Sequence, residues 1–226
     1  MKLSGILTSP VHFVSGINTD AGKSIATGWL SKQLLSEGVR VITQKLVQTG
    51  CIDMSEDIVT HRKLEGRELL PEDLDHTTHP ILFAKPASPH IAAELEGTTV
   101  DISLATQSTA KLIGKYDKVL LEGAGGLMVP ITRSLLAIDY IEQQKFPVIL
   151  VSTAQLGSIN HTLLSLEAIA ARGLEIPLVV YNEGLTYDPI VTEDTREYLR
   201  SYLAAYYPGT HFLVMPHLPQ DTSTDV

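Results

Sequence analysis

The sequence predicts an α/β fold with a mostly parallel central sheet and helices on both faces. Two observations support this fold class. Short apolar runs rich in β-branched residues recur along the chain, as is typical of strands buried on both faces. Amphipathic stretches separate these runs, and strands that alternate with helices imply parallel pairing through right-handed crossovers. Because ligands bind beyond the carboxyl ends of such strands, we expect the functional residues in the loops that follow them.

The individual elements follow from the same patterns. Apolar residues at helical spacing occupy 25–35 and stop before Gly38, and a second such stretch occupies 163–170 and stops before Gly173. Glycine suits the left-handed conformation that often closes a helix. The predicted strands are 11–15, 39–43, 118–121, 148–152, 178–181 and 212–215.

Composition restricts the class of protein. The chain has 226 residues, with 17 Lys+Arg against 26 Asp+Glu and a formal charge of -9, which suits a single domain, 1–226, and disfavours nucleic acid as a partner. An apolar run of membrane-spanning length is absent from the sequence, so we expect no membrane partner. One cysteine cannot form an internal disulfide, and the first residues do not read as a secretory signal. We therefore expect a cytoplasmic protein.

Residues 16–24, here called the phosphate loop, follow the first predicted strand and read Gly-Ile-Asn-Thr-Asp-Ala-Gly-Lys-Ser. Glycines let backbone N–H groups wrap phosphate oxygens, Lys23 offsets their charge, and the hydroxyl of Ser24 can bind Mg²⁺ at the start of a helix. The alternative is a glycine-rich turn with a surface lysine. Because strand, loop and helix occur in the right order, the sequence favours nucleotide binding and a P-loop NTPase-like fold.

Further charged residues follow later strands. Lys45 follows the second predicted strand and Thr49 lies just beyond it, where a lysine could reach an oxyanion bound at the phosphate loop. Glu122 ends the third run and opens a flexible glycine-rich turn at 122–126, and we expect it to bind Mg²⁺ with Ser24. Asp57 is a second candidate ligand, although a solvated helix surface is an alternative there. Asp53 and Glu56 compete with Asp57 for that role.

Together these residues resemble the dethiobiotin synthetases of biotin biosynthesis. The phosphate loop is similar to that family's Gly-Thr-Asp-Thr-x-Val-Gly-Lys-Thr, and residues 122–126 to its Glu-Gly-Ala-Gly-Gly. Asn182 falls where the family has an asparagine at a strand end. The other matching segments are Lys-Leu-Val-Gln-Thr-Gly at 45–50, Lys-Pro-Ala-Ser-Pro-His at 85–90 and Leu-Gly-Ser-Ile-Asn-His at 156–161.

The resemblance implies an ATP- and Mg²⁺-dependent ligase that acts on 7,8-diaminononanoate and CO₂. One amine forms a carbamate, the carbamate attacks the γ-phosphate of ATP, and the second amine displaces phosphate to close a cyclic urea. Such a phosphoryl transfer needs positioning and charge neutralisation more than a nucleophilic side chain. The resemblance also implies a homodimer, with the substrate close to the subunit interface.

The resemblance assigns roles to individual residues as well. The catalytic residues would be Thr19, Lys23 and Lys45, and the magnesium ligands Ser24, Asp57 and Glu122. The diamine would meet Thr49 and Gly125, while Gly157, Ser158 and Asn160 would receive its carboxylate tail from the neighbouring subunit. An alternative is that this segment is a helix N-terminus with Ser158 and Asn160 as caps, and both interpretations can hold together because helix N-termini suit carboxylates. The nucleotide-binding residues would be Asn18, Thr19, Asp20, Ala21, Gly22, Lys23, Ser24, Ile25, Asn182, Pro216 and Leu218.

Two other functions share the phosphate loop. An amide-forming synthetase normally carries a glutamine-hydrolysing domain, for which 226 residues leave no room. A switch ATPase that positions cargo would have a second lysine near the start of the loop, where this chain has Ile17. His76 and His79 are spaced as metal ligands could be, but Pro80 and the neighbouring threonines favour a solvated loop.

Overall fold

The computed structural model describes residues 2–184 and 188–218. Its elements alternate as the sequence predicts, with small two-stranded additions between them. In chain order they are α1 (Leu3–Ile6), β1 (Val11–Gly16), α2 (Lys23–Ser36), β2 (Val41–Lys45), β3 (Gln48–Thr49), α3 (Glu56–Glu65), α4 (Pro71–Leu74), β4 (Leu82–Phe83), α5 (Pro89–Leu95), α6 (Ile102–Ile113), β5 (Lys118–Gly126), β6 (Pro130–Thr132), β7 (Leu135–Leu136), α7 (Ala137–Gln144), β8 (Val148–Thr153), α8 (Ser158–Ala170), β9 (Leu178–Asn182), α9 (Pro189–Tyr206) and β10 (His211–Met215).

The central sheet has six parallel strands in the order β10-β9-β8-β1-β5-β2. This confirms the predicted fold class. β1 lies between β5 and β8, so the phosphate loop leaves the sheet from an inner strand with neighbours on both sides. The carboxyl ends of all six strands meet along one edge, because the strands are parallel.

Apolar side chains cover both faces of the sheet. Phe13 belongs to a core cluster with residues of α5, α6, α7 and α8, whereas Val14 belongs to a second cluster with residues of α1 and α2. Successive residues of a strand point to opposite faces, so each strand contributes to both cores. Among the described residues, no helix is both long and apolar enough to cross a membrane.

Three expectations need correction. β2 extends to Lys45, so this lysine is part of the strand. Residues 122–126 belong to β5 and are not a free turn. Gly123 has a packing role there, because a Cβ at this position would lie 2.7 Å from the ring of Phe13. The segment around His79 is a loop as predicted, but His79 is fully buried and not solvated.

Candidate active site

The phosphate loop is shaped by glycine and closed by its own lysine. Gly22 has φ +81° and precedes the first residue of α2, a conformation that costs glycine little. Gly16 is closely surrounded, since a Cβ there would lie 2.8 Å from the carbonyl oxygen of Asn18. Lys23 Nζ donates hydrogen bonds to the carbonyl oxygens of Asn18 at 3.1 Å and Thr19 at 3.0 Å. The lysine therefore crosses the cradle in which phosphate oxygens are expected.

Lys23 is buried, with 5% of its surface exposed. Burial, together with the nearby charge of Lys45, lowers the pKa of Lys23 from 10.5 to about 8. An anion bound in the loop would favour the protonated lysine, because opposite charges at short range stabilise each other. The electrostatics of the loop thus suit a negatively charged ligand.

Strand register brings Lys45 and Glu122 together. The two residues are paired neighbours on β2 and β5, and Lys45 Nζ lies 2.8 Å from Glu122 Oε1 and 3.1 Å from the carbonyl oxygen of Gly123. Lys45 Nζ also lies 2.5 Å from Asp57 Oδ2. One lysine therefore links the end of the sheet to the start of α3.

The same two carboxylates face Ser24. Its hydroxyl donates to Asp57 Oδ1 at 2.6 Å, and the oxygen lies 3.0 Å from Glu122 Oε1. Ser24, Asp57 and Glu122 come from α2, α3 and β5, so three elements meet at one point. The candidate magnesium ligands predicted from the sequence are thus brought together. Their hydroxyl and carboxylate oxygens are the donors that Mg²⁺ prefers.

The charges of this cluster are mutually stabilised. Burial alone raises the pKa of the Glu122 carboxyl, but Lys45 and His61 outweigh it and hold the pKa well below its usual value. Burial alone lowers the pKa of Lys45, but Glu122 and Asp57 outweigh it and raise the pKa. The carboxylate and the ammonium group therefore both stay charged at neutral pH, as a site for phosphate and a cation requires.

A network behind Glu122 was not predicted from the sequence. Glu122 Oε2 lies 2.8 Å from His61 Nε2, and His61 Nδ1 lies 3.0 Å from Thr43 Oγ1. Arg62 NH1 donates to the same hydroxyl of Thr43 at 3.0 Å. The spacing of Asp57 and His61, one helical turn apart, was the available signal, because residues i and i+4 share a helix face.

Asn182 secures the phosphate loop from the neighbouring part of the sheet. Its Nδ2 donates to the carbonyl oxygen of Ala21 at 3.1 Å, and its Oδ1 accepts from the N–H of Gly184 at 2.9 Å. A Cβ on Gly22 would lie 2.3 Å from Asn182 Nδ2. The close approach explains why glycine is needed at position 22. The side-chain amide of Asn182 keeps one further N–H donor and one further oxygen lone pair, which could bind a nucleotide base.

The remaining predicted nucleotide-binding residues have weaker structural support. Asp20 is exposed on the loop, and Ile25 is half-buried against the core on the α2 side. Leu218 is half-buried in the same region, whereas Pro216 is exposed. The charge of Asp20 acts on Lys23 within the loop, whereas Ile25, Pro216 and Leu218 carry apolar side chains that make no hydrogen bond to it.

The two residues predicted to meet the diamine belong to different sheets, since β3 pairs with β4 and β5 belongs to the central sheet. Thr49 is half-buried on β3, and Gly125 has φ +69° near Thr19, whose hydroxyl would lie 3.6 Å from a Cβ at Gly125. A cavity of about 530 Å³ adjoins the loop here. It is lined by Ile17, Asn18, Thr19, Gly126, Leu127, Met128, Val129, Leu164, Ser165 and Ala168.

The start of α8 holds the other predicted substrate residues. Gly157 is exposed with φ +92° and precedes the helix, while Asn160 is exposed within it. Ser158 is buried, and its Oγ has no hydrogen-bond partner among the described residues. The segment is a helix N-terminus as predicted, but Ser158 and Asn160 do not cap it, because Gly157 occupies the cap position and no side chain makes a capping hydrogen bond there.

Known proteins resemble the chain over nearly its whole length. A family model described as AAA domain matches residues 11–223. ATP-dependent dethiobiotin synthetase BioD 2 of Haemophilus ducreyi is 50% identical over 205 residues, covering 91% of this chain and 97% of that protein. The enzyme of that name from Pasteurella multocida is 48% identical, covering 91% and 96%. ATP-dependent dethiobiotin synthetase BioD of Chlorobaculum tepidum is 48% identical, covering 89% and 84%.

Solved structures resemble the fold at lower identity. A plasmid partition protein of Borrelia burgdorferi B31 bound to AMPPNP has a TM-score of 0.53 and 15% identity, covering 96% of this chain and 90% of that one. This likeness concerns the fold alone. It agrees with the parallel sheet and the position of the loop after β1.

Proposed function

The chain belongs to the ATP-dependent dethiobiotin synthetases, and we propose that it joins CO₂ to 7,8-diaminononanoate and closes the cyclic urea of dethiobiotin with ATP. It is a ligase of biotin biosynthesis. The observation that supports the assignment of its site most directly is the meeting of Lys45, Ser24, Asp57 and Glu122 next to the phosphate loop. This arrangement combines positive charge for phosphate with oxygen ligands for a divalent ion.

The chemistry balances with the groups of the substrates. One amine adds to CO₂ and loses a proton to give a carbamate. A carbamate oxygen then attacks the γ-phosphorus as the bond to ADP breaks, which gives a mixed anhydride. The second amine attacks the carbonyl carbon, a proton is lost, and phosphate leaves as the ring closes. Every bond forms between substrates, so the protein contributes position and charge.

We assign that charge to two lysines. Lys23 would leave the carbonyl oxygens of Asn18 and Thr19 for the phosphate oxygens of ATP, and Lys45 would stabilise charge on the carbamate and the transferred phosphoryl group. Thr19 is exposed at the mouth of the loop, so its hydroxyl is free to face the substrate. Together the lysines would offset negative charge that grows in the transition state.

We propose that Ser24, Asp57 and Glu122 hold Mg²⁺. Their oxygen atoms already converge, and Mg²⁺ is commonly held by one or two carboxylates together with phosphate oxygens. When bound, the ion neutralises charge on the phosphates. The competing acids Asp53 and Glu56 are exposed, and the two acids in contact with Ser24 are Asp57 and Glu122. The structure thus favours Asp57 for the role.

The cavity beside the loop is the proposed place for the alkyl chain of the diamine. Leu127, Val129 and Ala168 give it apolar walls, and Thr19 places a hydroxyl at its rim. Thr49 and Gly125 would then lie towards the amines. The carboxylate end would reach Gly157, Ser158 and Asn160 of a second subunit, where the start of a helix favours negative charge.

A homodimer accounts for the apolar surface near this site. Met128 and Leu164 both line the cavity, yet 54% and 57% of their surfaces are exposed. Clustered exposed apolar side chains are typical of protein interfaces. We propose that a second copy of the chain covers them and completes the diamine site.

The nucleotide base is assigned to the other side of the loop. Asn182 would contact adenine through the N–H and the oxygen lone pair that its side-chain amide does not use within the protein. Residues 216 to 218 would border the base. Asn18, Asp20, Ala21, Gly22 and Ile25 would surround the phosphates and the start of α2. The cytoplasmic location and the single domain 1–226 stay predictions.

The activity is tested with purified protein, ATP, Mg²⁺, bicarbonate and 7,8-diaminononanoate. We expect phosphate and dethiobiotin to form in equal amounts. Phosphate release should fall to a small fraction of that rate when the diamine is omitted. Mass spectrometry of the product and a phosphate assay measure both. ATP hydrolysis that proceeds unchanged without the diamine would instead favour the switch ATPase.

A further inference from the structure

Glu122 is held from two sides by different kinds of group. Its Oε1 faces Lys45 Nζ and Ser24 Oγ, whereas Oε2 faces away from them towards His61 Nε2 at 2.8 Å. Both side chains of the His61–Glu122 pair are fully buried. His61 therefore contacts the carboxylate through the oxygen that Ser24 and Lys45 leave free.

The partners of His61 determine which ring nitrogen carries hydrogen. Arg62 NH1 donates to Thr43 Oγ1 at 3.0 Å, and a guanidinium group can only donate. The hydroxyl hydrogen of Thr43 is then free for His61 Nδ1, which lies 3.0 Å away. The ionised carboxylate of Glu122 can only accept, so His61 Nε2 carries hydrogen and donates it to Oε2.

Arg62 is a fixed starting point for this chain of hydrogen bonds. It is 1% exposed. Its Nε and NH2 donate to the two oxygens of Asp73 at 2.8 Å and 3.0 Å, and NH1 also reaches both oxygens of Glu65 at 3.0 Å. Thr78 Oγ1 donates to Asp73 at 2.7 Å. Such a satisfied buried network holds its members in one arrangement.

We propose that His61 is a positioning residue for Glu122. By holding Oε2, it leaves Oε1 turned towards Ser24 and Lys45, in the orientation needed to bind Mg²⁺. The inference rests on the proposed function of Glu122 as a magnesium ligand. Groups that orient a ligand in this way commonly change metal affinity or activity 10- to 100-fold when they are replaced.

A pair of substitutions separates positioning from packing. The amide nitrogen of glutamine can take the place of His61 Nε2, whereas that of asparagine reaches only the place of Nδ1. His61→Gln therefore keeps a donor for Glu122, and His61→Asn removes it while it keeps a polar side chain near Thr43. Both replace a buried ring by a smaller group, so a loss due to packing alone would affect both.

The first measurement is the Mg²⁺ dependence of dethiobiotin formation. We expect the activation constant for Mg²⁺ to rise about tenfold or more in His61→Asn and to stay within about threefold of wild type in His61→Gln. Binding of Mn²⁺ with a non-hydrolysable ATP analogue, followed by electron paramagnetic resonance, should show the same order without turnover. Equal constants in wild type and His61→Asn would overturn the proposal.

The second measurement concerns the wild-type protein without metal or nucleotide. Nitrogen-15 NMR of labelled histidine reports which ring nitrogen carries hydrogen, and we expect hydrogen on Nε2 of His61. A ring with hydrogen on Nδ1 alone contradicts the proposed donation to Glu122, even if the variants fail to fold. Wild-type protein that forms no dethiobiotin would instead refute the proposed function, whatever the tautomer.

Discussion

At the scale of single residues, the two site lysines are held in different ways. Lys23 donates to two backbone carbonyl oxygens of the phosphate loop, whereas Lys45 forms ion pairs with Asp57 and Glu122. From the sequence alone, replacing either one should lower turnover far more than stability. The structure predicts different effects of the two replacements on stability, because of the two lysines only Lys45 forms an ion pair with the fully buried carboxylate of Glu122.

We predict that Lys23→Ala and Lys45→Ala each lower turnover by about 100-fold or more, since each removes stabilisation of the transition state. Lys45→Ala should also lower the free energy of unfolding by about 3 kcal/mol, because Glu122 loses its buried partner. Lys23→Ala should lower it by about 1 kcal/mol at most. Steady-state kinetics and urea unfolding measure these effects. Wild-type turnover in both variants would refute the site assignment.

His12 makes stability depend on pH at a distance from the active site. Burial, with a smaller effect of Lys118, lowers the pKa of His12 from 6.5 to about 4. The unfolded chain takes up a proton near pH 6.5, but the folded protein does so only near pH 4. The contribution of His12 to stability is therefore complete above pH 6.5 and is lost as the pH falls towards 4.

We expect this effect to remove about 2 kcal/mol from the free energy of unfolding between pH 7 and pH 5. Urea unfolding at the two pH values measures the loss. Leucine at position 12 cannot titrate. The free energy of unfolding of His12→Leu should therefore fall by about 2 kcal/mol less than that of wild type between the two pH values. Burial also lowers the pKa of His79 to about 4, and the comparison with His12→Leu removes this shared contribution. Identical losses in both proteins would contradict the prediction.

At the scale of elements, the active site depends on how closely α2 and α3 pack. α2 carries Ser24, and α3 carries Asp57 and His61. Gly28 is the contact point, because a Cβ there would lie 2.8 Å from Leu64 Cδ1 and 3.0 Å from His61 Cα. A side chain at this position must push the backbone of α3 away.

Gly28→Ala should therefore lower the free energy of unfolding by about 1–3 kcal/mol, as overpacked cores do. It should also raise the Mg²⁺ concentration needed for half-maximal activity, because Asp57 and Ser24 move apart. Urea unfolding and a magnesium titration measure the two effects. Gly209→Ala is the control, since nothing lies within 4 Å of a Cβ at Gly209. Equal behaviour of the two variants would show that α3 tolerates the displacement.

The elements themselves follow from sequence patterns to a large extent. Six apolar runs became the six strands of the sheet, because buried strands need nearly continuous apolar residues. The end of β2 was placed too early, since Gln44 and Lys45 are polar yet fully within the strand. Both are buried because they have partners: Gln44 bonds to α6 and Lys45 to Glu122.

At the scale of the whole molecule, Met128 and Leu164 are exposed apolar residues beside the cavity that we propose for the diamine. We predict that wild-type protein sediments as a dimer and that Leu164→Asp sediments as a monomer, because a buried aspartate without a partner is costly in an interface. Leu104→Asp replaces a leucine that is 44% exposed on α6 and should leave the dimer intact. Analytical ultracentrifugation decides this, and a dimeric Leu164→Asp would place the interface elsewhere.

Local sequence was enough for the order of strands and helices, the phosphate loop and the identity of its lysine and serine, because glycines and helical spacing act over a few neighbouring residues. Tertiary structure alone revealed that Lys45 pairs with both Asp57 and Glu122 and that His61 contacts Glu122. Glu122 and His61 are 61 positions apart in the chain. Strand register and the packing of α3 on α2 bring them into contact, and neither leaves a local pattern in the sequence.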